Sequence, residues 1–478
     1  DDGAVVYLNG IEVARANLRL GFQGPGVEAA NAVDDPRAWF DYRLPATAVQ
    51  PGKNLVAVEV HLSDPTDATL GFDLRLIGYD PRRSPIEREP YVTGVTSDRA
   101  VIRWRTGDRL GTRLAWGTDP NDLEHDVSDP TLGTEHRVVL DGLEPGATYF
   151  YRAGDLWDRI DPGVRRFATL PPADLDRPLR LWILGDPGTG DRHAARVRQA
   201  FRTHVDGQPP DAWLVLGNLG FENGTDDEIQ RGFFDMYSDV LATRPPWPAL
   251  GNHDLKSTRD GAGPWFDAFE LPSDAEAGGV ASGTETYYAI DLGPIHVVVL
   301  DTASTAAAAK PMLAWLEEDL AASDRPWTLV VANHPPYSAG WRRSDDPQQT
   351  RLASMRNEVV PLLEAAGVDL MVAGYNPSYE RSFLLHGRDA ERDGLLDTGD
   401  GREDGDGAYR KARGGPGTVY VVAGSGARRI EGDLDHPAMA VSLLRRGSLI
   451  VDVYDRRMSV AFVDATGRVA DRFTLLHE

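Results

Sequence analysis

The chain has 478 residues, 41% of them hydrophobic, so several domains are expected and wholesale disorder is excluded. Lys and Arg number 50 and Asp and Glu 74, which gives a formal net charge of -24. This charge repels nucleic acid and anionic lipid, and no apolar run is long enough for a membrane-spanning helix. The chain has no cysteine, which excludes a disulfide framework, a thiolate nucleophile and a Cys-ligated zinc.

Residues 1–80 predict a small β module. Asp2 to Arg15 alternates apolar and polar residues around an Asn9-Gly10 turn, the pattern of a hairpin, and Asn54 to Leu62 and Leu70 to Ile77 predict further strands. The segment resembles the latter part of jelly-roll modules in secreted bacterial hydrolases. That resemblance implies an extracellular or cell-surface bacterial protein. The chain begins at Asp1 without a methionine or a signal region, so we expect a leader that has been removed or is not included. Without the strands that precede the hairpin in such modules, an edge would be open to self-assembly or a protein partner.

Residues 88–170 predict a second all-β domain. The Pro81 to Pro85 segment has the composition of a linker, and Ala100 to Arg105 alternates as a strand does. A turn then leads into a strand that carries Tyr149 and Tyr151. The segment resembles a fibronectin type III module in which one of these tyrosines would be the corner tyrosine. Such a module is a spacer or a wall of a site more often than a site itself.

From residue 178 onward the pattern predicts an α/β domain. Short apolar strand runs alternate with amphipathic helices, and Thr225-x-x-Glu228 is a capping box at the start of one helix. The strand runs are Leu181 to Leu184, Trp213 to Leu216, Ile295 to Leu300, Trp327 to Val331, Leu370 to Ala373 and Val419 to Ala423. Because such runs form a buried sheet, the ligand site is expected beyond the strand ends.

Five segments following buried runs consist of small and polar residues. They are Gly185-Asp186-Pro187-Gly188, Gly217-Asn218-Leu219-Gly220-Phe221, Gly251-Asn252-His253-Asp254, Asn333-His334-Pro335-Pro336 and Gly374-Tyr375-Asn376-Pro377. Any one of them is an ordinary turn by default. Five in succession predict polar side chains that point into a common crevice, because glycine lets the backbone bend sharply after the strand.

This order of motifs resembles the calcineurin-like metallophosphoesterases, and most closely the purple acid phosphatases, over about residues 88–478. The family pattern is GDxG, GDxxY, GNH(D/E), a lone His, then GHxH. It implies a four-layer α/β/β/α domain whose two-metal centre hydrolyses phosphate monoesters, often with a fibronectin-like domain in front.

Four positions of this chain match the family pattern. The resemblance implies that Asp186 is the first carboxylate ligand, Asn252 the amide ligand and His334 a histidine ligand of the second metal. It also implies that His253 contacts the phosphate or protonates the leaving group.

Four other positions depart from the pattern. Asn218 stands where the bridging aspartate is expected, and Phe221 stands where the iron-binding tyrosinate is expected. Tyr375 and Pro377 replace the two histidines of GHxH. Two divalent cations about 3.5 Å apart repel by ~19 kcal/mol at an effective dielectric of about 20. An anionic bridging residue offsets this repulsion, and the neutral Asn218 cannot.

These departures leave three interpretations open. In the first, the dinuclear centre is lost and the protein is a non-catalytic binding, structural or assembly protein. In the second, a residual phosphoric monoester hydrolase uses one divalent metal on Asp186, Asn252 and His334, with His253 as general acid. In the third, the crevice carries unrelated binding chemistry.

Three features outside the motifs are weaker candidates. Asp400, Asp404 and Asp406 lie in an acidic, glycine-rich segment that could bind calcium, although the order of an EF-hand is absent and a solvated loop is the alternative. His193 could reach the crevice or be solvated at a helix start. The Trp341-Arg342-Arg343 segment could bind an anion or pair with acidic side chains.

Overall fold

The computed structural model describes residues 3–19, 27–29, 42, 44, 48–62, 72–74, 76, 85–156, 160–259, 261–304, 306–387 and 399–478. The chain divides into two compact units, Asp1–Arg83 and Ser84–Glu478. The division falls inside the segment that composition predicts as a linker. In the described ranges, no helix is long and apolar enough to cross a membrane.

The first unit contains a three-stranded antiparallel sheet with the order β2-β1-β3. Its strands are β1 (Gly3–Leu8), β2 (Ile11–Ala16) and β3 (Val56–His61). Asn9 and Gly10 join β1 to β2 with φ of 53° and 81°, as a tight hairpin turn requires. The predicted hairpin and the strand within 54–62 are therefore confirmed, whereas the strand predicted at 70–77 lies mostly outside the described residues.

The second unit begins with a five-stranded antiparallel sheet in the order β4-β5-β7-β8, with β6 paired to β5. Its strands are β4 (Ile86–Thr93), β5 (Arg99–Gly117), β6 (His125–Asp141), β7 (Thr148–Gly154) and β8 (Arg165–Ala168). The Tyr149 hydroxyl accepts the Glu144 backbone N–H at 2.8 Å, a contact expected of a corner tyrosine. The Tyr151 hydroxyl donates to the Ala242 carbonyl at 2.8 Å and so ties this sheet to the α/β part. The fibronectin type III assignment stays a prediction.

Two seven-stranded sheets form the α/β part of the second unit. One has the order β11-β10-β9-β20-β21-β22-β17 and the other the order β12-β13-β14-β15-β18-β16-β19. The strands are β9 (Leu179–Leu184), β10 (Ala212–Val215), β11 (Pro246–Pro248), β12 (Tyr288–Leu292), β13 (Ile295–Leu300), β14 (Trp327–Ala332), β15 (Leu370–Ala373), β16 (Tyr379–Leu385), β17 (Tyr409–Lys411), β18 (Thr418–Ala423), β19 (Met439–Leu443), β20 (Gly447–Tyr454), β21 (Arg457–Asp464) and β22 (Val469–His477). All six apolar runs predicted as strands are confirmed as β9, β10, β13, β14, β15 and β18.

Helices cover the outer face of each sheet. They are α1 (Arg192–Val205), α2 (Asp226–Ile229), α3 (Asp235–Leu241), α4 (Pro264–Ala268), α5 (Ala306–Ala322), α6 (Thr350–Ser354) and α7 (Val360–Ala365), with a short 3-10 turn at Asp254–Lys256. Odd-numbered and even-numbered residues of β13 lie on opposite faces of the sheet, because successive side chains of a strand point to opposite sides. Val297 belongs to the same hydrophobic cluster as Ile183 of the other sheet, whereas Val298 belongs to a second cluster that includes Leu316 of α5. Phe201 of α1 stacks on the first sheet, which completes the predicted four layers.

The helix predicted after the capping box differs from the sequence pattern in one respect. The Thr225 hydroxyl accepts the Glu228 backbone N–H at 3.3 Å, so the capping box is confirmed. Between α2 and α3, however, Gln230–Phe234 forms a wider π-helical turn. It buries Phe233 and Phe234 side by side, which a uniform period of 3.6 residues does not predict.

A buried charged triad braces the second sheet away from the strand ends. The two ring nitrogens of His296 lie 2.8 Å from carboxylate oxygens of Asp291 and Asp319. Burial lowers the pKa of His296, but the two hydrogen bonds outweigh burial and raise it to about 9. The ring is therefore a buried imidazolium at neutral pH.

Candidate functional site

The carboxyl ends of strands from both sheets meet at one cleft, here called the crevice. All of the predicted site residues at the strand ends line it except His334, whose ring packs behind Tyr375 with centroids 4.2 Å apart. The lining residues are Asp186, Asn218, Phe221, Asn252, His253, Trp341, Arg342, Tyr375, Pro377, Arg428 and Ile430. The predicted common crevice is thus present.

Three of the lining residues adopt a backbone conformation that non-glycine residues rarely use. Asp186, Asn218 and Tyr375 have φ of 50°, 62° and 69°. Each conformation costs of order 1–3 kcal/mol and turns a side chain sharply away from its strand into the crevice. Gly251 is needed beside them, because a Cβ there would collide with the backbone nitrogen and side chain of Asn218.

Asn218 cross-links the positions expected to hold the two metals. Its Nδ2 donates to Asp186 Oδ1 at 2.9 Å and to Asn252 Oδ1 at 3.2 Å. Its Oδ1 accepts the backbone N–H of His253 at 2.9 Å. The amide thus uses its oxygen and both of its hydrogens on the groups around it.

The orientation of this amide follows from its partners. Oxygen and nitrogen of an asparagine are assigned from the hydrogen-bond network, and the backbone nitrogen of His253 can only donate. The atom beside it must therefore be Oδ1 of Asn218, and the NH₂ group must face Asp186 and Asn252. A hydrogen-bond donor consequently occupies the place where a bridging carboxylate oxygen is expected.

A buried carboxylate fixes the backbone beneath Asn218. Asp254, fully buried, accepts the backbone N–H groups of Asn218 at 2.7 Å, Leu219 at 2.8 Å, Gly251 at 3.1 Å and Gly220 at 3.3 Å. Burial raises the pKa of Asp254 to about 6, against the opposing effect of these N–H groups. Asp254 therefore serves to hold the loop rather than to face the crevice.

Asp186 is a carboxylate in a dry environment. It is 3% exposed, and burial raises its pKa to about 7, although the Asn218 amide and the Tyr375 backbone N–H both oppose this. The Asn218 amide thus supplies part of the stabilisation that a cation would otherwise give to this carboxylate.

One ring nitrogen of His334 has no hydrogen-bond partner. Its Nδ1 lies 3.1 Å from the Thr302 hydroxyl, while its Nε2 is buried without a hydrogen-bond partner. Burial lowers the pKa of His334 to about 3, so the ring is neutral. A neutral imidazole with a free nitrogen fits a metal ligand.

Tyr375 is engaged by an arginine. The Arg342 guanidinium donates to the Tyr375 hydroxyl and lies 4.5 Å from the centroids of both the Tyr375 and the Trp341 rings. Burial raises the pKa of Tyr375 from its ordinary value, so the hydroxyl stays protonated at neutral pH. Arg343 instead pairs with Asp345 at 2.9 Å, which is one of the two roles that the sequence left open. Anion binding by Arg342 stays a prediction.

His253 lies against Phe221, with ring centroids 4.5 Å apart. Its Nδ1 lies 2.7 Å from the Glu222 carbonyl, which can only accept, so Nδ1 carries the proton. In the neutral ring Nε2 then carries no proton. Burial lowers the pKa of His253, which disfavours the protonated ring that a general acid needs. This arrangement disfavours the predicted role of a general acid.

Several residues of the site were missed by the sequence analysis. The Arg428 guanidinium lies 5.0 Å from the centroid of the Phe221 ring and faces the crevice, about fifty residues after the last motif. Its only signal in the sequence is the Gly424-Ser425-Gly426 turn that precedes it. His193 does not line the crevice but lines an adjoining cleft.

The donor set does not fit a pair of metal ions. Phe221 and Pro377 offer no donor, the Tyr375 hydroxyl is engaged by Arg342, and Asn218 presents an NH₂ group. Throughout the described ranges, no three His, Asp or Glu side chains are grouped so that they could hold a metal ion. Among the matching positions, His334 keeps a buried Nε2 without a hydrogen-bond partner, which remains a candidate ligand atom.

The absence of a metal-binding group in the described ranges also applies to the predicted calcium loop. Asp400, Asp404 and Asp406 do not form such a group. Oδ1 of Asp400 instead accepts the backbone N–H groups of Arg402 at 2.9 Å and of Asp406 at 3.1 Å. These are contacts within a loop, and calcium binding there stays a prediction.

Two families match the second unit. Residues 179–374 match the family described as Calcineurin-like phosphoesterase, and residues 89–168 match the Purple acid Phosphatase, N-terminal domain. Purple acid phosphatase 23 of Arabidopsis thaliana is 28% identical over 280 residues, which are 52% of this chain and 58% of that protein. Purple acid phosphatase 15 of the same plant is 24% identical over 417 residues, which are 76% of this chain and 71% of that protein.

Solved structures share the fold. Purple acid phosphatase PPD1 from yellow lupin (Lupinus luteus) seeds superposes with a TM-score of 0.62 at 17% identity, over 81% of this chain and 74% of that one. PhoD superposes with a TM-score of 0.59 at 14% identity, over 83% and 91%. The two family models thus match the β domain at 89–168 and the α/β part at 179–374, and these solved structures share its fold.

Proposed function

We propose that this protein keeps the metallophosphoesterase fold without its dinuclear centre and acts as a non-catalytic binding protein. One observation carries the proposal: the Asn218 NH₂ group bridges Asp186 and Asn252 at 2.9 and 3.2 Å. The amide satisfies in hydrogen bonds the two oxygens that would otherwise be free for cations.

The rest of the crevice supports the same conclusion. Two metal ions would stabilise a phosphate and activate water, and here no carboxylate bridge is available to hold them. The crevice instead presents two guanidinium groups, Arg342 and Arg428, beside the protonated Tyr375 hydroxyl. This charge favours binding of an anion over its hydrolysis.

A second candidate, a residual phosphoric monoester hydrolase that uses one divalent metal, is supported by the free Nε2 of His334. Asp186 and Asn252 would have to release the Asn218 amide before they could join His334 around an ion. The loss of those two hydrogen bonds makes this the weaker candidate.

Hydrolysis of p-nitrophenyl phosphate by EDTA-treated protein, with added Mn²⁺, Zn²⁺ or Fe³⁺, tests both candidates. We expect no turnover above that of buffer with any of the ions. Metal-dependent turnover that His334→Ala abolishes would establish the second candidate and contradict the first. The Arg410→Ala variant, altered on β17 outside the crevice, controls for trace phosphatase in the preparation.

Location and assembly stay part of the proposal. The resemblance of the first unit supports an extracellular or cell-surface protein that assembles through its β module. Light scattering of the chain checks assembly, since a strictly monomeric solution would contradict it. Calorimetric titration with calcium checks the loop at 400–406.

A further inference from the structure

A second cleft adjoins the crevice and shares three of its residues, Phe221, Arg428 and Ile430. It encloses about 570 Å³, including solvent at its mouth. Arg429 and Arg446 also line it, and we call it the arginine cleft. Its three arginines lie outside the family motifs, and Asp186, Asn252 and His334 do not line it.

The arginine cleft is cationic in a chain with a net charge of -24. Three arginines line it, Arg428, Arg429 and Arg446, against two carboxylates, Asp191 and Glu222, and three minus two leaves one positive charge. Burial and then Arg429 lower the pKa of Arg446, and Asp191 raises it. Two more arginines, Arg192 and Arg196, lie close enough for their charges to lower it by smaller amounts.

Neither carboxylate neutralises the arginines fully. Asp191 is the N-cap of α1, and its Oδ1 accepts the backbone N–H groups of His193 at 2.8 Å and of Ala194 at 3.1 Å. Glu222 is mostly exposed, and its Oε1 lies 3.8 Å from Arg428. An exposed contact of that length contributes little.

The guanidinium groups themselves are available to a ligand. Arg429 is exposed and forms no ion pair with the described residues. The Arg446 Nε donates to the Ala427 carbonyl at 2.9 Å, which fixes the plane of the group and leaves its terminal nitrogens for other acceptors. Arg428 stands where the arginine cleft joins the crevice.

We propose that the arginine cleft binds a small ligand that carries two or more phosphate or sulfate groups. One group is held by Arg429 and Arg446, and another reaches Arg428 at the junction with the crevice. Guanidinium forks match the oxygens of such groups bidentately. A single anionic group would engage only one end of the cleft, and a long polyanion is repelled by the net charge of the chain.

Calorimetric titration of the EDTA-treated chain with sodium tripolyphosphate tests the proposal, with inorganic phosphate as the reference ligand. We expect tripolyphosphate to bind at least about tenfold more tightly than phosphate and to weaken as salt rises from about 50 to 200 mM. Arg429→Ala and Arg446→Ala should each weaken tripolyphosphate binding about tenfold. Arg410→Ala, which removes an exposed arginine outside both clefts, should leave binding unchanged.

Equal affinity of the unaltered chain and the Arg429→Ala variant would overturn the proposal, as would binding only after metal is added. Because the Arg429 side chain forms no described hydrogen bond, this variant keeps the test valid if Arg446→Ala fails to fold. The proposal goes beyond the proposed function. Tripolyphosphate binding and p-nitrophenyl phosphate turnover are separate measurements, so either can fail alone.

Discussion

Substitution of Asn218 by aspartate restores the carboxylate expected at the bridging position. The new oxygen would stand where Nδ2 now donates to Asp186 Oδ1 at 2.9 Å, because the backbone N–H of His253 still holds the other oxygen. A hydrogen bond is thereby replaced by a contact between two acceptor oxygens.

The cost of this contact follows from the distance. Two unit charges 2.9 Å apart repel by about 6 kcal/mol at an effective dielectric of about 20. Uptake of one proton by the pair limits the cost. Holding an aspartate of ordinary pKa, about 3.9, protonated at pH 7 costs about 4 kcal/mol, and this is an upper bound because the pKa of Asp186 is already raised to about 7 in the parent. The lost hydrogen bond sets a lower bound of about 1 kcal/mol. We therefore expect Asn218→Asp to lower the free energy of unfolding by about 1 to 4 kcal/mol at pH 7, and by less near pH 4.

A divalent cation should reverse the loss, because it neutralises the two carboxylates. Binding at a hundred times the dissociation constant returns about 2.7 kcal/mol. Thermal unfolding with EDTA and then with Mn²⁺ or Zn²⁺ measures both effects. The unaltered chain should not respond to either ion.

Asn333→Asp is the matched control. Asn333 is fully buried, and its Nδ2 donates to the Leu216 carbonyl at 2.8 Å, so the same change creates the same kind of acceptor contact. Asn333 lies next to a proposed ligand but is not one, and metal should not rescue its variant. Equal metal responses of the two variants, or an Asn218→Asp variant as stable as the parent in EDTA, would refute the reasoning.

Three further predictions concern stability. The raised pKa of His296 stabilises the fold fully below about pH 6.5, and this contribution, about 3 kcal/mol, is lost as the pH rises through about 9. Urea unfolding from pH 6 to 10 should show this slope in the parent, and parallel curves for His296→Gln would contradict it. Asp254→Ala leaves four backbone N–H groups without their acceptor and should cost at least about 3 kcal/mol, so a cost below about 1 kcal/mol in urea would exclude the role assigned to it. Tyr151→Phe removes the bond to the Ala242 carbonyl and should cost about 1 kcal/mol, and an unchanged unfolding midpoint would show that this bond does not stabilise the unit.

The sequence predicts the strands and the crevice because both depend on local pattern. Runs such as Ile295 to Leu300 are apolar throughout, and a strand covered on both faces needs no other signal. The positions of Asp186 and Asn218 follow from the glycines that end the strands before them. The positions that differ from the family pattern can therefore be identified from the sequence alone.

The chemistry of the crevice depends on contacts that no local pattern contains. The direction of the Asn218 amide is set by the backbone N–H of His253, thirty-five residues away. Arg428 enters from a loop outside the motifs, and Arg342 meets Tyr375 only after two loops fold together. The π-helical turn at Gln230–Phe234, which buries both Phe233 and Phe234, is likewise absent from the local pattern.

The number of metal ions that one chain binds tests the central claim most directly. Equilibrium dialysis of the EDTA-treated protein against Mn²⁺, Zn²⁺ and Fe³⁺, followed by elemental analysis of the chain and of Asn218→Asp, gives this number. The Asn218 amide predicts that the parent binds no pair of ions at the crevice and that the variant gains affinity. Two ions bound tightly per parent chain, lost on His334→Ala, would contradict the account.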